Sequence, residues 1–367
     1  MHSPAYTAFL TMWKHGILQS NLIDRFPGGK TPGNLFVQES RKNMEHILEV
    51  KDLEVAFFRD GEPTVSVDNA SFHVDAGEIV CLVGESGCGK SVTSLSIMQL
   101  LGRKGKVTKG SVRFSGQELL GLSPKQLDTI RGSKLTMVFQ DPLISLNPVF
   151  TVGRQIEESI IAHLSPDREA ARKRALSLLK KAGIHDAEAV MKKYPHQLSG
   201  GMRQRVMIAM ALACGPKLVI ADEPTTALDV TIQAQIMELI LQLRKELGMA
   251  VLLITHDMGV VAQMADRVLV MYAGQIIEQA DVMELFEHPA HPYTRALLKS
   301  VPSITKGRDS RLESIKGMVP QRYDKITGCR FAARCPYRQE GCENPQKELA
   351  VGGSKAHLAR CCRAGEV

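Results

Sequence analysis

Gly84-Glu85-Ser86-Gly87-Cys88-Gly89-Lys90-Ser91 is the stretch from which the fold is read. It fits G-x-x-x-x-G-K-[ST], with Gly84, Gly89, Lys90 and Ser91 at the four specified places. An apolar, strand-like run over 78–83 precedes it, and a helix-like run from Ser91 to Leu101, with Val92 second, follows. Glycines remove the Cβ atoms that would keep backbone N–H groups from converging on phosphate oxygens. The start of the helix adds about half a positive charge. In this pattern Lys90 reaches the β- and γ-phosphates and the Ser91 hydroxyl ligates Mg²⁺. A glycine-rich turn with a chance lysine is the competing reading, and the motifs further along decide between them.

The chain has 367 residues, 44% hydrophobic and 23% charged, the composition of an ordinary globular protein of two or three domains. No apolar run approaches the roughly 18 residues that span a bilayer. Ala5 to Trp13 is short, contains threonines and lacks a basic lead, so no secretory signal is expected and the chain is placed in the cytoplasm. The net charge is +7, and residues 287–367 alone hold 15 Lys and Arg against 8 Asp and Glu. A solvated basic tail fits this better than a nucleic-acid footprint, because aromatics are not interleaved with the charges.

Residues 1–45 show no sustained period and contain the breakers Phe26-Pro-Gly-Gly-Lys-Thr-Pro-Gly33, which predicts a flexible N-terminal extension; Met44 is an alternative start to Met1. Alternating patterns predict antiparallel strands at 47–58 and 65–74, with further strands at 111–114 and 135–139. Helices are expected at 152–164, 167–182, after Ser199 and at 231–247, and strands at 217–221, 251–255, 267–271 and 275–278. Two short helices are expected within 281–301, separated by His288-Pro-Ala-His-Pro292. Apolar strands alternating with helices imply a parallel sheet covered on both faces. The fold class is therefore α/β: a P-loop NTPase core, a parallel sheet with flanking antiparallel strands, an inserted helical subdomain at about 141–215 and a small C-terminal Cys-rich domain. The expected boundaries are 1–45 for the extension, 46–286 for the nucleotide-binding domain and 287–367 for the C-terminal domain. Beyond Val301 apolar periodicity is too poor for a large core, so the segment needs a staple.

The strand Leu218-Val-Ile-Ala-Asp-Glu223 ends in two acids. Facing the P-loop, Asp222 can hold the Mg²⁺ shell, and Glu223 can orient or deprotonate the attacking water. His256 ends another strand and is assigned a contact to the γ-phosphate, against the plainer reading of a structural hydrogen bond. Gln140 ends a strand at the edge of the helical block, where it can touch both metal and helices. Ser199-Gly200-Gly201 opens a long helix and makes a second anion site. Two phosphate cradles on one chain can share a single γ-phosphate if two chains associate head to tail.

Together these residues resemble an ATP-binding cassette (ABC) ATPase over Ile47 to Ala280. The resemblance implies that Gly84, Glu85, Ser86, Gly87, Cys88, Gly89, Lys90, Ser91 and Val92 cradle ATP. It implies Mg²⁺ on Ser91, Gln140 and Asp222, with Glu223, His256 and Gln140 as catalytic residues. Phe57 would stack on adenine where the family more often has tyrosine, and Met202 replaces a usual glutamine. Ser199, Gly200 and Gly201 would complete a partner's site, and Asp229 lies in the loop that crosses the dimer interface. Phe139 to Pro148, Tyr194 to Met202 and His291 to Leu298 are similar to oligopeptide, dipeptide and nickel import ATPases, and Val319 to Asp324 to the dipeptide branch.

That family implies a second ATPase subunit, paralogue or copy, two transmembrane permease subunits and an external solute-binding protein. It also implies a peripheral location on the cytoplasmic side of the membrane. Dipeptide, oligopeptide, nickel chelate and haem all remain open as cargo. The rival class is a nucleic-acid-associated cassette ATPase. Its members resemble fused pairs of cassettes or carry long coiled-coil insertions; this chain has one cassette and a compact helical block.

Of eight cysteines, Cys329, Cys335, Cys342, Cys361 and Cys362 crowd the C-terminus. In a cytosolic chain such a cluster suggests metal before disulfide, and the paired C-x2-C knuckles usual for zinc are absent. The resemblance implies a [4Fe–4S] cluster on Cys329, Cys335, Cys342 and Cys361, with Cys362 the rival fourth ligand and zinc or free thiols the alternatives.

Overall fold

The computed structural model describes residues 46–59, 62–226, 228–300 and 315–366. The expected flexible extension at 1–45 lies outside the described residues. Alternating apolar residues build β1 (His46–Arg59) and β2 (Glu62–Asp75), which pair antiparallel. The chain then runs through β3 (Ile79–Val83), α1 (Lys90–Ile97), β4 (Gly105–Phe114) and β5 (Gln117–Glu118). A four-stranded antiparallel sheet, ordered β2-β1-β4-β5, results.

After α2 (Pro124–Asp128) and β6 (Leu135–Val138) the helical block begins. It consists of α3 (Pro142–Ser145), α4 (Val152–His163), α5 (Arg168–Lys181), α6 (Ala187–Met191) and α7 (Gly200–Ala211). Asp167 caps α5 by accepting from the Glu169 amide, which fixes its start one residue after the expected one. Buried Ile156, Ile160, Leu179, Val190 and Val206 bind the block together and join it to the main core.

The sheet resumes with β7 (Leu218–Asp222), α8 (Val230–Leu247), β8 (Ala250–Thr255), α9 (Met258–Met264), β9 (Arg267–Tyr272) and β10 (Gln275–Asp281). Two short helices, α10 (Val282–Glu287) and α11 (Pro292–Lys299), follow as expected. Strands β6, β7, β8, β3 and β9 are parallel, and β3 and β8 are buried along their whole length. Alternate residues serve opposite faces. Ile79, Cys81 and Val83 pack with the helices, while Val80 and Leu82 pack with α1 and the antiparallel sheet. Covering both faces is what makes the near-continuous apolar strands stable.

The C-terminal segment departs from expectation. Although the sequence shows no period past Val301, β11 (Leu349–Val351) and β12 (Ser354–Ala359) form a hairpin that pairs antiparallel with β10 and extends the central sheet to eight strands. Tyr323 and Phe331 belong to the main core cluster, so this segment folds onto the existing core. Beneath it, buried Glu278 accepts from the Ala290 and His291 amides at 2.7 and 2.8 Å and pairs with His357 Nε2 at 2.8 Å. No helix among the described residues is long and apolar enough to cross a membrane.

Candidate nucleotide site

The loop after β3 is shaped by its glycines. Gly87 and Gly89 have φ of 79° and 109°, and a Cβ on Gly89 would lie 2.8 Å from the Ser66 carbonyl oxygen. Only glycine fits there. Lys90, buried as the first residue of α1, donates to the Gly84 and Glu85 carbonyls at 2.8 and 3.0 Å, so its ammonium lies inside the curl of the loop. Ser86, Gly87 and Ser91 face solvent, whereas Cys88 is buried and Val92 packs on the core. The residues present fit a phosphate chain: an open rim of amides and hydroxyls over a held ammonium.

The acids meet this loop from β7. Ser91 donates to Asp222 at 3.2 Å. Burial raises the Asp222 pKa, the Ser91 hydrogen bond opposes this, and the Glu223 charge adds to it. A divalent cation there would offset the desolvation of the carboxylate, so the Ser91–Asp222 pair fits Mg²⁺. Glu223 sits at the turn after β7 with φ 44°, its amide donating to the Ile254 carbonyl at 2.9 Å. Its carboxylate accepts from Gln140 at 3.1 Å and Thr226 at 2.8 Å, and its other oxygen is 3.3 Å from His256 Nδ1. Lys90, Ser91, Asp222, Glu223, Gln140 and His256 are thus gathered at the carboxyl ends of β3, β6, β7 and β8.

Other expected residues stand apart from these hydrogen bonds. Ser199 is the exposed N-cap of α7, accepting from the Met202 amide at 3.4 Å. Gly201 faces Ile232 of α8, whose own cap is Asp229, accepting from the Ile232 amide at 2.9 Å. The serine tip and the Asp229 loop therefore form one exposed ridge. Phe57 is half-buried on β1 opposite Gly105.

Three contacts to this site were not foreseen, although the resemblance already places Thr226 in the interface-crossing loop Thr226 to Asp229. Thr226 holds Glu223, as above. The Glu85 amide donates to the Tyr293 hydroxyl at 2.9 Å, and Arg334 grips the Glu85 carboxylate at 2.7 and 3.0 Å. Tyr293 lies within the His291 to Leu298 stretch, but no pattern in the sequence ties either residue to a loop more than 200 positions earlier.

The four expected thiols converge. Cys329, Cys335, Cys342 and Cys361 line one recess with His291 and Phe331. Burial pushes the Cys329 and Cys361 thiols up to about 11. Cys362 is exposed, its sulfur 3.8 Å from that of Cys342. Elsewhere His46, His73 and Asp75 bring three ligand atoms within 4.8 Å of one another.

Residues 67–226 match the family described as ABC transporter, and residues 277–342 match the oligopeptide/dipeptide transporter C-terminal region. The chain is 50% identical to a probable peptide ABC transporter ATP-binding protein of Sinorhizobium fredii, over 90% of this chain and 98% of that one. It is 52% identical to the dipeptide transport ATP-binding protein DppD of Haemophilus influenzae, over 84% of this chain and 93% of the relative. It is also 52% identical to the oligopeptide transport ATP-binding protein AppD of Bacillus subtilis, over 87% and 97%. Among solved structures, a dimeric ATP-binding cassette in a post-hydrolysis state with ADP and Pi superposes with a TM-score of 0.58 at 32% identity, over 64% of this chain and 98% of that one. At about half identity over nearly the whole length of these ATP-binding proteins, the chain belongs to the ATP-binding subunits of the ABC transporter family.

Proposed function

We propose that this chain hydrolyses ATP to energise import of dipeptides or oligopeptides through a membrane transporter, from the cytoplasmic side and without entering the bilayer. The observation that carries the reading is the hydrogen-bonded set Ser91–Asp222 and Gln140–Glu223–His256 beside the Lys90 loop. Bound Mg²⁺ would supply a positive charge on the phosphates, held by Ser91, Asp222 and Gln140. Lys90 and the start of α1 hold the phosphates, Glu223 takes the proton of the attacking water, and His256 steadies the carboxylate and the γ-phosphate.

Each triphosphate is completed by a second ATPase subunit, copy or paralogue, whose serine-led helix tip adds about half a positive charge. The exposed Ser199–Asp229 ridge supports this, as does the dimeric state of the similar solved cassette. Two permease subunits and an external solute-binding protein complete the importer, and Phe57 takes the adenine. The isolated chain is expected to hydrolyse ATP feebly and the assembled complex at least about tenfold faster. Equal rates would overturn the shared-site reading.

The recess at the C-terminal end fits a four-thiolate cofactor, and we assign it a [4Fe–4S] cluster on Cys329, Cys335, Cys342 and Cys361. Such a cluster would cross-link the segment that Glu278 and His357 dock. Iron and acid-labile sulfide, about four of each per chain after anaerobic purification, are expected; stoichiometric zinc without sulfide would refute the cluster.

A further inference from the structure

A carboxylate inside a phosphate-binding loop is an electrostatic liability, because its charge repels the ligand. Glu85 is such a group: it follows Gly84, and its side chain is 26% exposed. The structure places a fixed cation on it. Arg334, its side chain 7% exposed, forks both carboxylate oxygens, at 2.7 Å through Nη1 and 3.0 Å through Nη2.

The guanidinium is itself held. Its Nε donates to the Lys316 carbonyl at 2.8 Å, Nη2 to the Gly317 carbonyl at 3.1 Å, and Nη1 to the Tyr272 hydroxyl at 3.3 Å. It also lies 5.7 and 5.9 Å from the ring centres of Tyr272 and Phe331. A second tether comes from Tyr293, fully buried, whose hydroxyl accepts from the Glu85 amide. Phosphate loop and thiol recess are thereby neighbours: Phe331 lines the recess, and Arg334 immediately precedes Cys335, which lines it as well.

We propose that Arg334 is a positioning residue for the nucleotide: it cancels the Glu85 charge and fixes the loop, so that affinity for the triphosphate is set from the C-terminal segment. The proposal rests on reading residues 84–91 as the phosphate loop. A clamp of this kind needs the forked geometry of arginine, since a lysine offers one point charge to two oxygens. A residue that only glued the C-terminal segment down would also need Glu85, and removing both partners could restore its stability too, but that role would shift thermal unfolding and leave the Kd of the folded chain unchanged.

The test is titration of the full-length chain with a fluorescent ATP analogue and Mg²⁺, with thermal unfolding run in parallel. Arg334→Gln is expected to raise Kd about tenfold, equivalent to about 1.4 kcal/mol. Adding Glu85→Gln to Arg334→Gln is expected to recover at least about threefold, because the bare carboxylate is gone. An unchanged Kd in Arg334→Gln, or a double variant that binds no better than Arg334→Gln alone, overturns the proposal. Should Arg334→Gln not fold, Arg334→Lys carries the test, with an expected loss of about threefold that Glu85→Gln relieves; a Kd equal to that of the unchanged chain then overturns it. Lys90→Ala separates the two readings. If it abolishes binding while the Arg334 variants bind normally, only the clamp fails; if it binds normally, the phosphate-loop reading fails and the clamp with it.

Discussion

Replacing Glu223 by glutamine removes its basicity while leaving its shape, and the structure says how little else changes. One oxygen accepts from Gln140 and Thr226 at 3.1 and 2.8 Å, and an amide oxygen accepts from the same two donors. The other oxygen lies 3.3 Å from His256 Nδ1, and an amide nitrogen there can donate to a neutral imidazole. The left-handed backbone at φ 44° is stabilised by the Ile254 contact, which does not involve the side chain. Folding stability should therefore move by less than about 0.5 kcal/mol.

Hydrolysis should not be spared. Loss of a positioned base costs about 10²–10⁴-fold, equivalent to about 2.7–5.4 kcal/mol at about 1.36 kcal/mol per decade. The chain should still bind ATP, because Lys90, Ser91 and Asp222 are untouched, and the ATP-loaded pair of subunits should accumulate closed. The assay is phosphate release by the assembled transporter, alongside ATP titration of the same preparation. Turnover within about threefold of the unchanged protein would remove Glu223 from the role of base; lost ATP binding would show instead that its hydrogen bonds, not its basicity, matter.

Gly89→Ala forces a side chain into a left-handed conformation 2.8 Å from the Ser66 carbonyl, so we expect a loss of about 1–3 kcal/mol of stability and severe loss of ATP binding, read by denaturant unfolding and titration. His357→Gln probes the docking of β12. Burial acts to lower the His357 pKa, but the Glu278 hydrogen bond and charge, with Glu284, reverse this and leave it raised above 6.5. A raised histidine contributes stability that is complete below 6.5 and lost as pH climbs through the folded value. Buried His291, pushed down to about 4, contributes with the opposite slope, so the raw pH profile mixes both. The stability difference between the unchanged chain and His357→Gln isolates one of them. It should be largest below pH 6.5 and shrink above it; a difference that grows with pH would refute the assignment.

What could be read from the sequence was whatever leaves a local mark. The apolar strands β3, β7 and β8 were visible because burial on both faces demands unbroken hydrophobic residues, and Ser199 marked a helix start because a cap acts within three residues. The phosphate loop was visible for the same reason, since its glycines answer to backbone sterics within eight residues.

What lay hidden depends on partners far away in the chain. Strand β12 alternates weakly, and its place is fixed by His357 meeting Glu278, 79 positions earlier. Arg334 looks like any basic residue of a charged tail until it is seen on Glu85, 249 positions before it. The +7 excess of residues 287–367 is thus in part a set of fixed counter-ions: Arg330 pairs with Asp68 of β2 at 2.5 Å and Arg334 with Glu85 of the loop after β3 at 2.7 Å. A tail that only solvated its charges would leave those carboxylates bare. This one neutralises Asp68 and Glu85, which ties the cysteine-bearing segment to the strand and loop on which they stand.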